Sequence, residues 1–176
     1  KGKEFKLFKF ATMLKDSPNL GSGDITLEND PRVLPFGRFL RITKINELPQ
    51  LLNVLTGDMS LIGPRPLTKK MFLMYKPATQ KIILTVRPGL SGVGSIVFRN
   101  EHAYIKNINQ PEKFYLEKIA NYKGSLEEWF VANRSVALYL YLIIMTIYVI
   151  FTNKNNLLWR VYPTIPRSKM LGIPNS

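Results

Sequence analysis

The chain contains no cysteine and a single histidine, His102. Without thiols there is no disulfide framework, zinc ribbon, cysteine redox centre or thiol nucleophile. A Ser-His-Asp triad would have to be built on His102. Acidic residues are also scarce: 12 Asp+Glu stand against 25 Lys+Arg, for a formal net charge of +13. A chain so basic keeps polyanionic company, which leaves three classes to separate: nucleic acid, an anionic lipid surface or a diphosphate substrate. Internal repeats and low-complexity tracts are missing too, which excludes solenoids. What is present is 176 residues, 45% of them hydrophobic, enough for one domain with a sizeable core and against general disorder. The opening Lys1-Gly2-Lys3 has no Met and no basic stretch leading into an apolar run. The reading therefore expects no signal peptide, and a natural N-terminus further upstream.

The pattern along the chain predicts an α+β domain dominated by helices, with a few short strands. Phe5-Lys6-Leu7-Phe8-Lys9-Phe10 partly alternates and is aromatic, which predicts a strand. Residues 15–31 have the Asp, Ser, Pro, Asn and Gly composition of a surface loop. A helix is expected from about Pro35 and Gly37, and a second over Pro49–Leu55, with Pro49 in its first turn and Gly57 as its stop. Ile62-Gly63-Pro64-Arg65-Pro66 must be extended or turned, because two prolines one residue apart forbid helix. A third helix is expected over Ala78–Leu84, ended by Arg87-Pro88-Gly89, and a strand over Ser95–Arg99 after Gly92 and Gly94. Gly92-Val93-Gly94 lacks the context of a dinucleotide site, so none is expected.

From Val136 to Phe151 the chain carries no charge. As a helix this run is about 24 Å long, short of the roughly 30 Å hydrocarbon layer. A helix embedded in one leaflet or lying in the interface fits better than a plain span. Trp129 and Trp159 would suit an aromatic belt, and Lys154, Arg160, Arg167 and Lys169 would suit anionic headgroups. The alternative is a buried core helix, but a helix with no polar face needs cover on every side. Residues 128–176 are accordingly expected to be an apolar membrane-associated helix with a basic tail, belonging to the same domain as a catalytic part over 1–127.

The densest chemistry lies between Lys9 and Pro66, where Arg32, Arg38, Arg41, Lys44 and Arg65 are interleaved with Asp30, Glu47 and Asp58. Guanidinium groups grip phosphate oxygens through paired N–H donors. A carboxylate among them serves best as a magnesium ligand or as a nucleophile. Mixed signs in one region point to diphosphate chemistry, although basic residues on a turn-rich surface are commonly just solvated.

Three ordered stretches sharpen this. They are Gly37-Arg38-Phe39-Leu40-Arg41, then Asn46-Glu47-Leu48-Pro49-Gln50-Leu51-Leu52-Asn53-Val54, then Gly57-Asp58-Met59-Ser60-Leu61-Ile62-Gly63-Pro64-Arg65-Pro66. Together they closely resemble the bacterial sugar transferase family, the monotopic polyprenyl-phosphate phosphoglycosyl transferases. Lys9-Phe10-Ala11-Thr12-Met13 and Arg87-Pro88-Gly89-Leu90-Ser91-Gly92 resemble two further segments of that family, so the likeness covers roughly residues 3–99 and is looser beyond 100. The family's N-terminal membrane helix would lie upstream of this chain.

The resemblance implies transfer of a phosphosugar from a UDP-sugar to a polyprenyl phosphate, usually undecaprenyl, at the cytoplasmic face of the bacterial inner membrane. This is the first membrane step in assembling a capsule, O-antigen, exopolysaccharide or glycoprotein glycan. It implies that Glu47 binds Mg2+, that Arg65 holds phosphate, and that Lys9, Arg41 and Gln50 line the site. Asp58 would add a metal-binding carboxylate or simply cap its turn. Expected partners are the UDP-sugar, the polyprenyl phosphate and an anionic membrane surface. No nucleic acid is expected, since charge alone supports that class and it leaves the apolar run without a role.

One departure bears on mechanism: Asn46 stands where the family has its nucleophilic Asp. A carboxamide is neutral and a far poorer nucleophile than a carboxylate. Asn46 could be a deliberate isosteric substitution that traps an inactive state; Glu47 or another carboxylate could attack, or the acceptor could attack directly; or the chain could be a catalytically silent member that binds substrate or acts as a scaffold. A second departure, Ala11 in place of Arg, removes one possible phosphate contact. Arg32 and Arg38 could serve headgroups, a salt bridge with Asp30, or substrate. Lys1, Lys3 and Lys6 read as a solvated or headgroup-facing edge, His102 as ordinary surface, and Tyr139, Tyr141 and Tyr148 as packing or interfacial anchors.

Overall fold

The computed structural model describes residues 2–19, 30–99, 101 and 111–168. Helix α1 spans Pro35–Thr43 and α2 spans Gln50–Leu55, joined by a 3-10 turn over Ile45–Glu47. Strand β1, Ser60–Ile62, pairs in parallel with β2, Gly89–Ser91, and the crossover between them holds α3 (Lys69–Leu73) and α4 (Pro77–Ile83). Helix α5 follows over Val93–Val97. Helix α6 (Pro111–Phe114) runs through a π-helical stretch, Tyr115–Ala120, into α7 (Asn121–Asn133). Then come α8 (Val136–Thr152) and α9 (Asn156–Val161). The fold is thus helix-dominated around a two-stranded parallel sheet, as the pattern predicts.

Local chemistry explains the helix starts. Pro35 and Pro77 open α1 and α4 with a preset φ and no N–H to leave unpaired. The Ser135 hydroxyl accepts from the Leu138 N–H at the head of α8. One core, built from Ile62, Val93, Ile96, Val97, Ile119, Leu126, Phe130, Leu138, Leu142 and Leu158 among others, joins the sheet to the helices on both sides of residue 128. Leu138, Leu142, Met145 and Val149 form the buried face of α8, while Leu140, Ile144, Ile147 and Phe151 on its other face are exposed. No helix among the described residues is long and apolar enough to cross a membrane.

Two expected strands are absent. Residues 5–10 take no regular structure; their backbone groups bond to Asn53 and to the Asn46 carbonyl instead of to a neighbouring strand. Residues 95–97 lie within α5, whose backbone closes onto Gly92 and Gly94. Conversely, the three-residue strands β1 and β2 sit where the sequence reading named no strand, only a segment from Ile62 that is extended or turned and the helix stop at Arg87-Pro88-Gly89. Gly89 makes that pairing possible, because a Cβ there would come within 2.1 Å of the Gly63 nitrogen.

Candidate active site

The site is assembled at the C-terminal end of α1. Lys44 takes a left-handed conformation (φ 62°) as the helix stops, and its N–H bonds back to the Arg41 carbonyl at 3.3 Å. This reversal feeds the 3-10 turn, so Arg41, Lys44, Asn46 and Glu47 emerge within one short stretch. Arg99, past the end of α5, donates from Nη2 to the Ile42 carbonyl at 3.0 Å, placing a cation at the negative end of the helix.

Two more segments bring charge to this turn. The Gly63-Pro64-Arg65-Pro66 stretch leaves β1 and presents Arg65, whose Nη2 donates to Glu47 Oε1 at 2.8 Å. The Glu47 side chain is 15% exposed and that of Arg65 45%, so the pair sits at the rim of the interior. Lys9 arrives on the N-terminal segment, which is pinned at three points. Asn53, fully buried on α2, accepts from the Phe8 N–H at 3.1 Å and donates to the Lys6 carbonyl at 2.9 Å. The Phe10 N–H donates to the Asn46 carbonyl at 3.0 Å. Further on, Thr12 lies across Gly37, where a Cβ would come within 2.2 Å of the Thr12 oxygen. Arg41 Nη1 reaches the Thr12 hydroxyl at 3.4 Å.

The electrostatics are those of a cationic cradle around one acid. Burial alone would push the Glu47 carboxyl up, but Arg65, Lys44 and Lys9 outweigh it and hold the group below the usual carboxylate range. Lys44 is lowered by burial and by the nearby Arg65, Arg99 and Arg41, against the pull of Glu47. Lys9 is likewise lowered by partial burial and by Arg65. Cations whose pKa is depressed by desolvation and by each other are poised to gain from an arriving phosphate.

Lys9, Arg41, Asn46, Glu47 and Arg65, expected from the sequence, therefore converge. Gln50 is buried in the first turn of α2 but forms no hydrogen bond or ion pair with the cluster among the described residues. Asp58 is exposed beyond α2 and accepts from the Thr56 hydroxyl at 3.0 Å. It acts as the turn cap and shares no ion pair with the cradle. Arg32 is structural: it forms a buried two-point pair with Asp30 (2.9 and 2.6 Å) and donates to the Ser17 carbonyl at 2.7 Å. Arg38 is exposed on α1. His102 and residues 20–29 lie outside the described residues.

Sequence reasoning left Lys44 and Arg99 out of the site. Lys44 was visible only as one of many cations, and Arg99 only as a charge closing the apolar run Ile96-Val97-Phe98. It also missed Asn53 as the clamp, although an amide inside Leu51-Leu52-Asn53-Val54 is the kind of buried polar group that must find partners.

The residues present can be asked whether they suit Mg2+. Among the described residues no group of three or more His, Asp or Glu could hold a metal. Asn46 Oδ1, however, is buried without a hydrogen-bond partner beside Glu47. Mg2+ is commonly held by one or two protein oxygens plus substrate phosphates and waters. Two oxygens within a ring of cations fit an ion that arrives with a diphosphate.

Residues 1–153 match the family described as bacterial sugar transferase. The chain belongs to the bacterial sugar transferase family. Over 156 residues it is 35% identical to the UDP-glucose:undecaprenyl-phosphate glucose-1-phosphate transferase of Escherichia coli, covering 87% of this chain and 31% of that protein. It is 36% identical over 117 residues to the undecaprenyl-phosphate galactose phosphotransferase of Salmonella typhimurium, covering 58% of this chain and 24% of the other. An uncharacterized sugar transferase of Bacillus subtilis is 36% identical over 148 residues, covering 83% of this chain and 62% of its own length. The chain thus spans between a quarter and under two thirds of the length of these sugar transferases.

Proposed function

We propose that this chain is the catalytic unit of a phosphoglycosyl transferase that moves a phosphosugar from a UDP-sugar to a polyprenyl phosphate, opening bacterial polysaccharide or glycoconjugate assembly. The observation that carries the reading is the Glu47–Arg65 pair set among Lys9, Arg41, Lys44 and Arg99. Five cations around one carboxylate suit a diphosphate donor together with a second, lipid-borne phosphate. Glu47 and the Asn46 amide oxygen would hold Mg2+, which when bound would offset phosphate charge. A position on the cytoplasmic face of the inner membrane, beside the lipid substrate, is supported by the exposed apolar face of α8 and by the net charge of +13.

Asn46 decides the route. Its amide cannot attack phosphorus, and Glu47 is committed to Arg65. The acceptor phosphate oxygen therefore attacks the sugar-bearing phosphorus itself. The bond to the UMP oxygen breaks, its electron pair leaves with UMP, and Arg65 with the neighbouring cations absorbs the developing charge. A silent, substrate-binding role is the second reading, favoured by the same unpartnered amide.

The test combines UMP release with intact mass. The chain incubated with UDP-sugar, undecaprenyl phosphate and Mg2+ is expected to release UMP only when the acceptor is present and to carry no adduct. Asn46→Asp is expected to release UMP from donor alone and to gain the mass of a phosphosugar. UDP-sugar binding without turnover by the unaltered chain would establish the silent role. No UMP from either form would end the transferase assignment.

A further inference from the structure

The turn that presents Arg65 has little of its own to hold it apart from the Arg65 backbone contact with the buried Glu127 carboxyl. Gly63 has no side chain, and Pro64 and Pro66 have no N–H to donate. Packing is backbone against backbone, since a Cβ on Gly63 would come within 2.6 Å of the Arg87 carbonyl. On the β2 side the turn is fixed by Gly63 N–H to the Ser91 carbonyl (2.9 Å) and Gly89 N–H to the Pro64 carbonyl (2.8 Å). Among the described residues the other edge of β1 faces no strand, because the sheet there has two strands.

That edge is met by α8. The Leu61 and Ile62 N–H groups both donate to the Tyr139 hydroxyl oxygen, at 3.2 and 3.4 Å, across 78 and 77 residues of chain. Two turns further along α8, Thr146 donates to the Leu142 carbonyl at 2.7 Å. Its oxygen is thus left to accept from the Ser91 hydroxyl, also at 2.7 Å. An otherwise apolar helix spends these two hydroxyls on the sheet, Tyr139 on the strand leading into Arg65 and Thr146 on its neighbour. The sequence reading treated Tyr139 as a packing or interfacial anchor; its ring packs against the core, and its hydroxyl also closes the outer edge of β1.

We infer that Tyr139 is a positioning residue for Arg65: by capping β1 from α8, its hydroxyl sets where the phosphate-holding guanidinium stands. This rests on the phosphate-binding reading of the site given above. Because β1 is three residues long, losing its outer cap frees the strand immediately before the turn. The Arg65–Glu47 pair, half-exposed on the arginine side, is then the remaining restraint on the side chain.

The test compares Tyr139→Phe with Thr146→Val in the full chain. The first deletes one hydroxyl and keeps the ring; the second removes the side-chain bond to Ser91 and leaves in place the Ser91 carbonyl that accepts from Gly63. Amide hydrogen exchange at Leu61, Ile62 and Arg65 is expected to accelerate in Tyr139→Phe and to stay unchanged in Thr146→Val. UDP, used as the probe, is expected to bind Tyr139→Phe roughly three- to tenfold more weakly, the scale of one or two lost neutral hydrogen bonds, and Thr146→Val with unaltered affinity. Unchanged exchange at Arg65 in Tyr139→Phe overturns the proposal, as does equal loss of UDP affinity in both variants, which would mark a general loss of stability. If the unaltered chain binds no UDP, the phosphate-binding reading fails, and the exchange data still decide whether Tyr139 orders the turn.

Discussion

Lys44 occupies a left-handed backbone conformation (φ 62°), which costs a residue with a side chain about 1–2 kcal/mol and which helix ends commonly assign to glycine. Its side chain adds a second cost, since burial and three neighbouring cations lower its pKa. A position so poorly suited to lysine fits the proposed phosphate-binding role of its side chain. Lys44→Gly separates the two. Relief of backbone strain is offset by the added freedom of the unfolded chain, so chemical denaturation is expected to show a stability change within about 1 kcal/mol. UDP affinity by titration calorimetry is expected to fall about tenfold, as for loss of one charge-assisted phosphate contact. Affinity unchanged in a folded variant would remove Lys44 from the cradle.

At the scale of elements, the N-terminal segment reaches the site without becoming a strand, because a side chain takes the place of a partner strand. Asn53 accepts from Phe8 and donates to Lys6 as a backbone would. Asn53→Ala leaves both backbone groups unpaired and is expected to cost about 2–3 kcal/mol in urea unfolding. UMP release should fall further than stability accounts for, because Lys9 loses its tether. Full activity in this variant would detach the segment from catalysis. The same contrast shows what the sequence could disclose. α1 and α2 were legible because Pro35 and Pro49 mark starts, α4 because Arg87-Pro88-Gly89 marks its end, and α8 because its apolar run is long. The aromatic alternation of residues 5–10 imitated a strand, and the β-branched Ile96-Val97 imitated another, whereas tertiary contacts decided both. The Arg41-Asn46-Glu47-Arg65 part of the site was legible from ordered motifs. Arg99 was not, since its place depends on α5 folding against the end of α1, a contact between distant segments that local pattern does not encode.

Over the whole molecule, charge is not confined to the cradle. Behind Arg65 lies a second, partly buried polar group: Lys123 donates to Glu101 at 2.7 Å and to the Tyr115 hydroxyl at 3.1 Å, and packs over the Phe98 ring. Glu127, one turn along α7, is 3% exposed with Oε2 unpartnered. Burial pushes its carboxyl up to about 8, against the opposing pull of Lys123 and the Arg65 backbone and side chain. An acid whose pKa is raised on folding binds its proton more tightly in the native state. Its contribution is therefore complete below the unfolded value near 4.5 and lost as pH rises through about 8. Unfolding free energy measured in urea is accordingly expected to decline between pH 5 and pH 8, and Glu127→Gln, which keeps the shape and cannot ionise, is expected to flatten that decline. The variant should be at least as stable as the parent at pH 8, since the native state no longer faces a buried negative charge. A decline that survives unchanged in Glu127→Gln would show that the titration does not belong to Glu127.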